Sequence, residues 1–267
     1  MTGELTVIVP VWGNYARFLP QLRNRLRNEG VADGAVLVIV NGDRRLSDGK
    51  NLWPGARVIH LPRQLSIGAV RNAALEAVST EFVCFCDADD LPAPGTLFEL
   101  CTALGLNPNA VLATGLAERL TRNGSEPYPW PRRSAVGTVS RPRRVIRQWA
   151  FNNLSLTTGA VLRAEATRKL GGFPDSDLAE DGMLACAMAA YAPVIVLDRP
   201  TRQYRTHPDG LCQRGHSAAR WRSAYRQQRR WLASNRALGP WRKLAHLYAP
   251  VHWYQAGRLA QLARHDV

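Results

Sequence analysis

Phe82-Val83-Cys84-Phe85-Cys86 runs straight into Asp87-Ala88-Asp89-Asp90, so an apolar stretch delivers three carboxylates within four positions. Like charges this close repel unless a cation sits among them, and carboxylate oxygens suit hard divalent ions such as Mg²⁺ and Mn²⁺. At the carboxyl end of a strand, such an ion could be shared with a diphosphate and neutralise charge on a departing group. The run also reads as a solvated acidic turn capping the helix near Pro94, because Asp is favoured at turns and N-caps. Glu180-Asp181 opens a helical stretch, where a carboxylate can serve as a general base or simply complement the helix dipole. His207, two residues beyond Tyr204-Arg205, reads on its own as a loop histidine. Arg71, within Ala69-Val70-Arg71-Asn72, reads in isolation as an exposed first-turn residue.

The elements that must position these groups alternate in type. β-Branched and apolar runs fall at Leu5–Val9, Ala35–Val40, Ala56–Leu61, Glu81–Cys86 and Ala110–Thr114. Helical stretches lie between them at Tyr15–Glu29, Ile67–Val78 and Gly95–Leu104. Near-continuous apolar strands alternating with helices predict an α/β fold, with a mostly parallel central sheet flanked by helices. Ligands of such sheets bind at the carboxyl ends of the strands. Thr121–Arg144, with four prolines, Trp130 and six arginines, predicts a long surface excursion. It contains Asn123-Gly124-Ser125, a glycosylation sequon without meaning in a cytoplasmic chain. Next come a helix at Arg144–Phe151, a strand at Thr157–Leu162, helices at Ala164–Leu170 and Glu180–Tyr191, and a strand at Val194–Asp198. A polar loop from Arg199 to Gly215 leads to two Trp- and Arg-rich helices, Ser217–Asn235 and Pro240–Arg264. The chain thus divides into a main domain, residues 1–216, and basic amphipathic helices packed on it, residues 217–267.

The balance of 35 Lys+Arg against 21 Asp+Glu gives +14 and points to an anionic partner without choosing among nucleic acid, membrane and phosphate-bearing substrate. Five cysteines without CxxC spacing suit buried thiols and a reducing, cytoplasmic compartment. Strand character begins by Leu5, leaving no room for a signal peptide. The apolar run from Leu184 to Leu197 is 14 residues and broken by Pro193. A bilayer span needs roughly 18 or more, so no transmembrane helix is expected.

The motifs gain meaning as an ordered set. Pro10-Val11-Trp12-Gly13-Asn14, Asn41-Gly42-Asp43, Ala69-Val70-Arg71-Asn72 and the acidic strand end come first. Thr158-Gly159-Ala160, Gly171-Gly172-Phe173, Glu180-Asp181 and Tyr204-Arg205-x-His207 follow. Over about residues 5–210 the set resembles the inverting family-2 glycosyltransferases of GT-A fold, the Rossmann-like fold of nucleotide-diphospho-sugar transferases. The resemblance implies a donor cleft lined by Pro10, Val11, Asn41 and Arg71, with Asp87-Ala88-Asp89 at the ribose, sugar and diphosphate. It also implies Mg²⁺ or Mn²⁺ held by Asp89 and approached by His207, and Asp181, beside Glu180, as general base. The partners implied are a nucleotide-sugar donor, with a UDP-sugar favoured, and a small-molecule or lipid-carried acceptor. Nucleic acid is not expected as a partner; peripheral membrane contact and a homodimer are compatible with the pattern. One departure is Val40-Asn41 in place of the family's Asp-Asp, where Asn41 still offers a nucleobase an acceptor and a donor. Gln227-Gln228-Arg229-Arg230-Trp231 matches a signature of processive polysaccharide synthases, but those enzymes span membranes and no processivity is expected here. Two other readings remain at this point: a nucleotidyltransferase, which would need a basic Gly-rich turn after the first strand, and a basic nucleic-acid-binding protein.

Overall fold

The computed structural model describes residues 5–46, 52–121, 124–128, 136–139, 156–207, 210 and 217–262. The helix expected at Arg144–Phe151 lies outside them. Four strands, β1 (Leu5–Val11), β2 (Val36–Asn41), β3 (Arg57–Leu61) and β4 (Phe82–Phe85), pair in parallel in the order β3-β2-β1-β4. The runs of β1, β2 and β4 are apolar because both faces are covered, whereas edge strand β3 leaves Arg57 and His60 exposed. Val7, Val9, Val38 and Cys84 pack with Leu22, Leu26, Leu97 and Leu100 of helices α1 (Leu19–Asn28) and α3 (Thr96–Leu106). Ile8, Ile39 and Phe85 point the other way, into a core shared with Val70 of α2 (Ile67–Glu76) and Leu184 and Met188 of α5 (Glu180–Tyr191). Residues of one strand alternate between the faces, as a pleated strand requires. Between α2 and α5 runs the short helix α4 (Ala164–Lys169).

The second half of the sheet is mixed. β9 (Val161–Arg163) runs antiparallel to β4 and to β6 (Leu112–Thr121), and β6 pairs in parallel with β10 (Val194–Arg205). β5 (Leu91–Pro92) closes against β10, while β7 (Gly124–Pro127) and β8 (Gly137–Val139) pair with β6 and β10. Three expectations change here. The strand expected at Thr157–Leu162 is shorter, with only Thr157 bridging to Phe85 before β9 begins. The excursion expected from Thr121 opens as a β6–β7 hairpin. The loop expected from Arg199 is strand as far as Arg205. Pro200, which lacks a ladder N–H, is absorbed by register shifts on either side of it.

Helix starts follow local chemistry. Ser66 caps α2 by accepting the Ala69 N–H at 3.2 Å, and Ser217 caps α6 (Ala218–Ser234) by accepting that of Arg220 at 3.3 Å. A 3₁₀ stretch, Arg236–Tyr248, joins α6 to α7 (Ala249–Leu262). Leu232 and Leu238 enter the core that holds α5. Among the described residues no helix is long and apolar enough to cross a membrane.

Gly68, in the first turn of α2, gives its N–H to Ser176 O at 3.2 Å, and a β-carbon there would meet Pro174 O at 1.9 Å. This close approach seats the segment that leads into α5. Gly68→Ala gains about 1 kcal/mol of helix propensity. The contact with a backbone carbonyl costs ~1–3 kcal/mol, so the clash decides the sign. We expect a lower melting temperature and a lower urea midpoint; an unchanged or raised midpoint would contradict the packing.

Candidate active site

The acidic run leaves β4 as a tight turn, with Asp90 N–H bonded to Asp87 O at 3.1 Å. Its three carboxylates meet three different partners. Asp87 accepts Arg71 Nη2 at 2.7 Å, and its backbone N–H donates to Thr158 Oγ1 at 2.9 Å. Asp90, 1% exposed, accepts Arg202 Nε at 2.8 Å and the Arg205 backbone N–H at 2.9 Å. Asp89 meets His207 Nε2 at 2.9 Å through Oδ2, while its carbonyl takes Arg205 Nε at 2.8 Å. Asp87 therefore faces α2, and Asp90 and Asp89 face the end of β10.

Arg71 completes a second link. It rises from α2, is 3% exposed, and donates through its other nitrogen to the carboxylate of Glu180, first residue of α5. Burial alone would lower the affinity of Arg71 and Arg202 for their protons. The carboxylates around them, Asp87 and Glu180 for Arg71 and Asp90 and Asp87 for Arg202, outweigh it and hold both guanidinium groups charged. Asp87 in turn is pushed up by burial, yet the two arginines win and keep its carboxyl below the ordinary value. Asp89 goes the other way: burial, then the charge of Asp87, push it up to about 6.

Pro10, Arg71, Asp87, Ala88, Asp89, Glu180 and Asp181 line one cleft, joined by Trp12, Tyr15, Asp177, Arg202 and Trp221. His207 reaches it through Asp89 and is walled by the rings of Tyr15 and Phe18, 5.6 and 5.1 Å away. Asp181 sits on the first turn of α5, its Oδ1 2.7 Å from the Gly182 N–H. The preceding Ala179 takes the left-handed conformation, φ 58°, that turns the chain into the helix.

Two sequence readings change. Val11 is fully buried in the core on the α1 side, because it points opposite to Pro10 along the strand. Asn41 is buried and its amide is spent on one backbone: Nδ2 donates to Leu65 O at 2.9 Å and Oδ1 accepts Leu65 N–H at 2.8 Å. It fixes the loop before α2 and does not present a donor and acceptor to a nucleobase. Glu180 is ion-paired with Arg71, and burial, the largest influence on it, pushes its carboxyl up to about 7. Arg71 lines the cleft as expected, but it is buried and not an exposed first-turn residue, with its Nη atoms held by Asp87 and Glu180. Sequence reasoning missed Arg202; the Tyr204-Arg205-x-His207 motif was one strand period away, had the strand been continued upstream.

The residues fit a divalent ion. Among the described residues no three His, Cys, Asp or Glu converge to hold a metal unaided. Asp89 Oδ2 and His207 Nε2 offer two ligands, suited to an ion that draws the rest from water and substrate phosphate. Charge argues the same way: the cleft is lined by six carboxylates and two arginines, in a chain of net charge +14. A diphosphate would be repelled from so acidic a floor unless a cation came with it.

The family model described as Glycosyl transferase family 2 matches residues 6–170. No curated protein matches the chain. Among solved structures, S. aureus TarS 1–349 in complex with UDP-GlcNAc gives a TM-score of 0.69 at 17% identity, over 96% of this chain and 74% of that one. The same fragment with UDP gives 0.64 at 18% identity, over 92% and 69%. The mannosyltransferase PcManGT from Pyrobaculum calidifontis, in complex with GDP-Man and Mn²⁺, gives 0.55 at 18% identity, over 97% and 73%. With the family match spanning β1 to α4 and the acidic turn at the sheet's carboxyl edge, the chain belongs to glycosyl transferase family 2 and has the GT-A fold.

Proposed function

We propose that the chain transfers a sugar from a nucleotide-diphosphate donor, with a UDP-sugar favoured, to an acceptor hydroxyl with inversion at the anomeric carbon. The observation that carries this reading is the acidic cleft in a basic protein, with the Asp89–His207 pair and Asp181 on its wall. The neighbours support it: TarS was solved with UDP and with UDP-GlcNAc, and PcManGT with GDP-Man and Mn²⁺.

Asp89 and His207 would hold Mg²⁺ or Mn²⁺, which when bound neutralises the diphosphate as it leaves. Asp181 accepts the proton of the acceptor hydroxyl as its oxygen bonds to the anomeric carbon. In the same displacement the bond from that carbon to the diphosphate oxygen breaks, and the electron pair leaves with the nucleoside diphosphate. One in-line displacement needs one base, on the face away from the leaving group. Arg71 keeps Asp181's neighbour Glu180 and the turn residue Asp87 in fixed relation, so base and donor floor move as a unit. Trp12 and Tyr15 wall the cleft beside the acidic turn.

Asp181→Asn should lower transfer ~10²–10⁴-fold while leaving UDP-induced thermal shifts in Mn²⁺ intact. Asp89→Ala should lose both the Mn²⁺-dependent shift and transfer. Full activity in both variants would sink the reading.

A pH series gives a separate test. Asp89 has a folded-state pKa of about 6 against an ordinary 3.8. Between those values the folded chain holds a proton that the unfolded chain has lost, so this contribution to stability declines as pH rises through the window. Mn²⁺ should therefore raise the melting temperature more above pH 7 than at pH 5. An equal rise at both, or a larger one at pH 5, would contradict it.

A further inference from the structure

The C-terminal helices differ in charge from the rest of the chain. Residues 217–262 hold eight arginines and one lysine and not a single Asp or Glu. Two exposed aromatic side chains stand here too: Trp253 is 65% and Tyr254 68% exposed, side by side on α7. Their neighbours on the same helix, His252 and Ala256, are buried, so the two rings stand on its outward side.

Arg222 of α6 lays its guanidinium over the Trp253 ring at 5.0 Å, and Arg229 reaches His252 Nδ1 at 3.1 Å. Arg222, Arg226, Arg229 and Arg230 follow at spacings of four, three and four or one, which places them along one side of α6. Tyr225 stacks on His252 at 4.6 Å and locks the two helices together beneath this side. The result is a ridge of aromatic rings set among guanidinium groups at one level.

We infer that this ridge docks the protein on an anionic phospholipid membrane surface. Trp and Tyr favour the headgroup boundary, where an apolar ring and a polar edge are both satisfied, and arginines beside them meet lipid phosphate. Charge complementarity selects the occupant. A second copy of the chain would set one all-cationic face against another. A polynucleotide would need open ring faces for stacking, and one face of Trp253 is already covered by Arg222. Trp221, next to Arg222, lines the catalytic cleft, so docking face and cleft share one helix. The inference stands apart from the proposed chemistry, since it is read without any donor.

The test uses the full chain and flotation with vesicles. Vesicles of neutral phosphatidylcholine are compared with vesicles carrying roughly one-third phosphatidylglycerol, at low and high salt. The expected result is retention on the anionic vesicles only, weakened by salt, and weakened ~tenfold or more in Trp253→Ser/Tyr254→Ser at unchanged melting temperature. If the double variant fails to fold, Tyr254→Ser alone supplies the comparison. Equal retention of variant and wild type, equal retention on neutral vesicles, or no retention at all overturns the inference. So does a dimer that the double variant dissociates, or retention of single-stranded DNA without retention on anionic vesicles.

Discussion

Two buried guanidinium groups make the acidic turn tolerable inside the protein. Three carboxylates at the end of a buried strand would each carry a desolvation penalty of several kcal/mol if left unpaired. Arg71 and Arg202 take up two of them, Asp87 and Asp90, from opposite sides of the turn. Each arginine meets more than one group: Arg71 joins Asp87 to Glu180, and Arg202 binds Asp90 with Asp87 at 3.8 Å. A lysine could not span two carboxylates in this way, because its charge sits on one nitrogen without a planar fork.

This arrangement sorts the three carboxylates by role. Asp87 is tied through Arg71 toward the first turn of α5, Asp90 toward the end of β10, and Asp89 is left to His207. The turn thereby becomes a junction between the parallel and mixed halves of the sheet. The acidic surplus around it sits in a chain that is otherwise strongly basic, so under the proposed function a phosphate-bearing donor would be drawn to the molecule but would need a cation to enter the cleft. Local and global charge would then act on different steps of binding.

Much of this was legible from residue order. Apolar runs fixed the parallel strands, because both faces of that half-sheet are covered, and α5 begins at Glu180 and ends at Tyr191 as its pattern predicts. The positions that the structure places differently have separate causes. Asn41 is bound to the peptide of Leu65, and nothing in a side-chain pattern reveals that. Arg202 was hidden by Arg199-Pro200, which reads as the end of a strand, whereas β10 absorbs the proline as an irregularity. Val11 was avoidable, since adjacent strand residues face opposite ways and Pro10 already pointed to the cleft. The Gln227-to-Trp231 motif resolves into packing: Gln227 donates to Asp175 O at 2.7 Å and Gln228 is buried against Cys186, which steadies the approach to α5.

Arg71 binds the two sides of the site into one unit, and a double-mutant cycle between Arg71 and Glu180 measures that link. Urea unfolding of the wild type, Arg71→Met, Glu180→Gln and the double variant gives their coupling free energy. A coupling of ~1–3 kcal/mol is expected, with Arg71→Met alone less stable than the double variant because it strands a buried carboxylate. Additive effects, or a double variant weaker than both single variants, would contradict it.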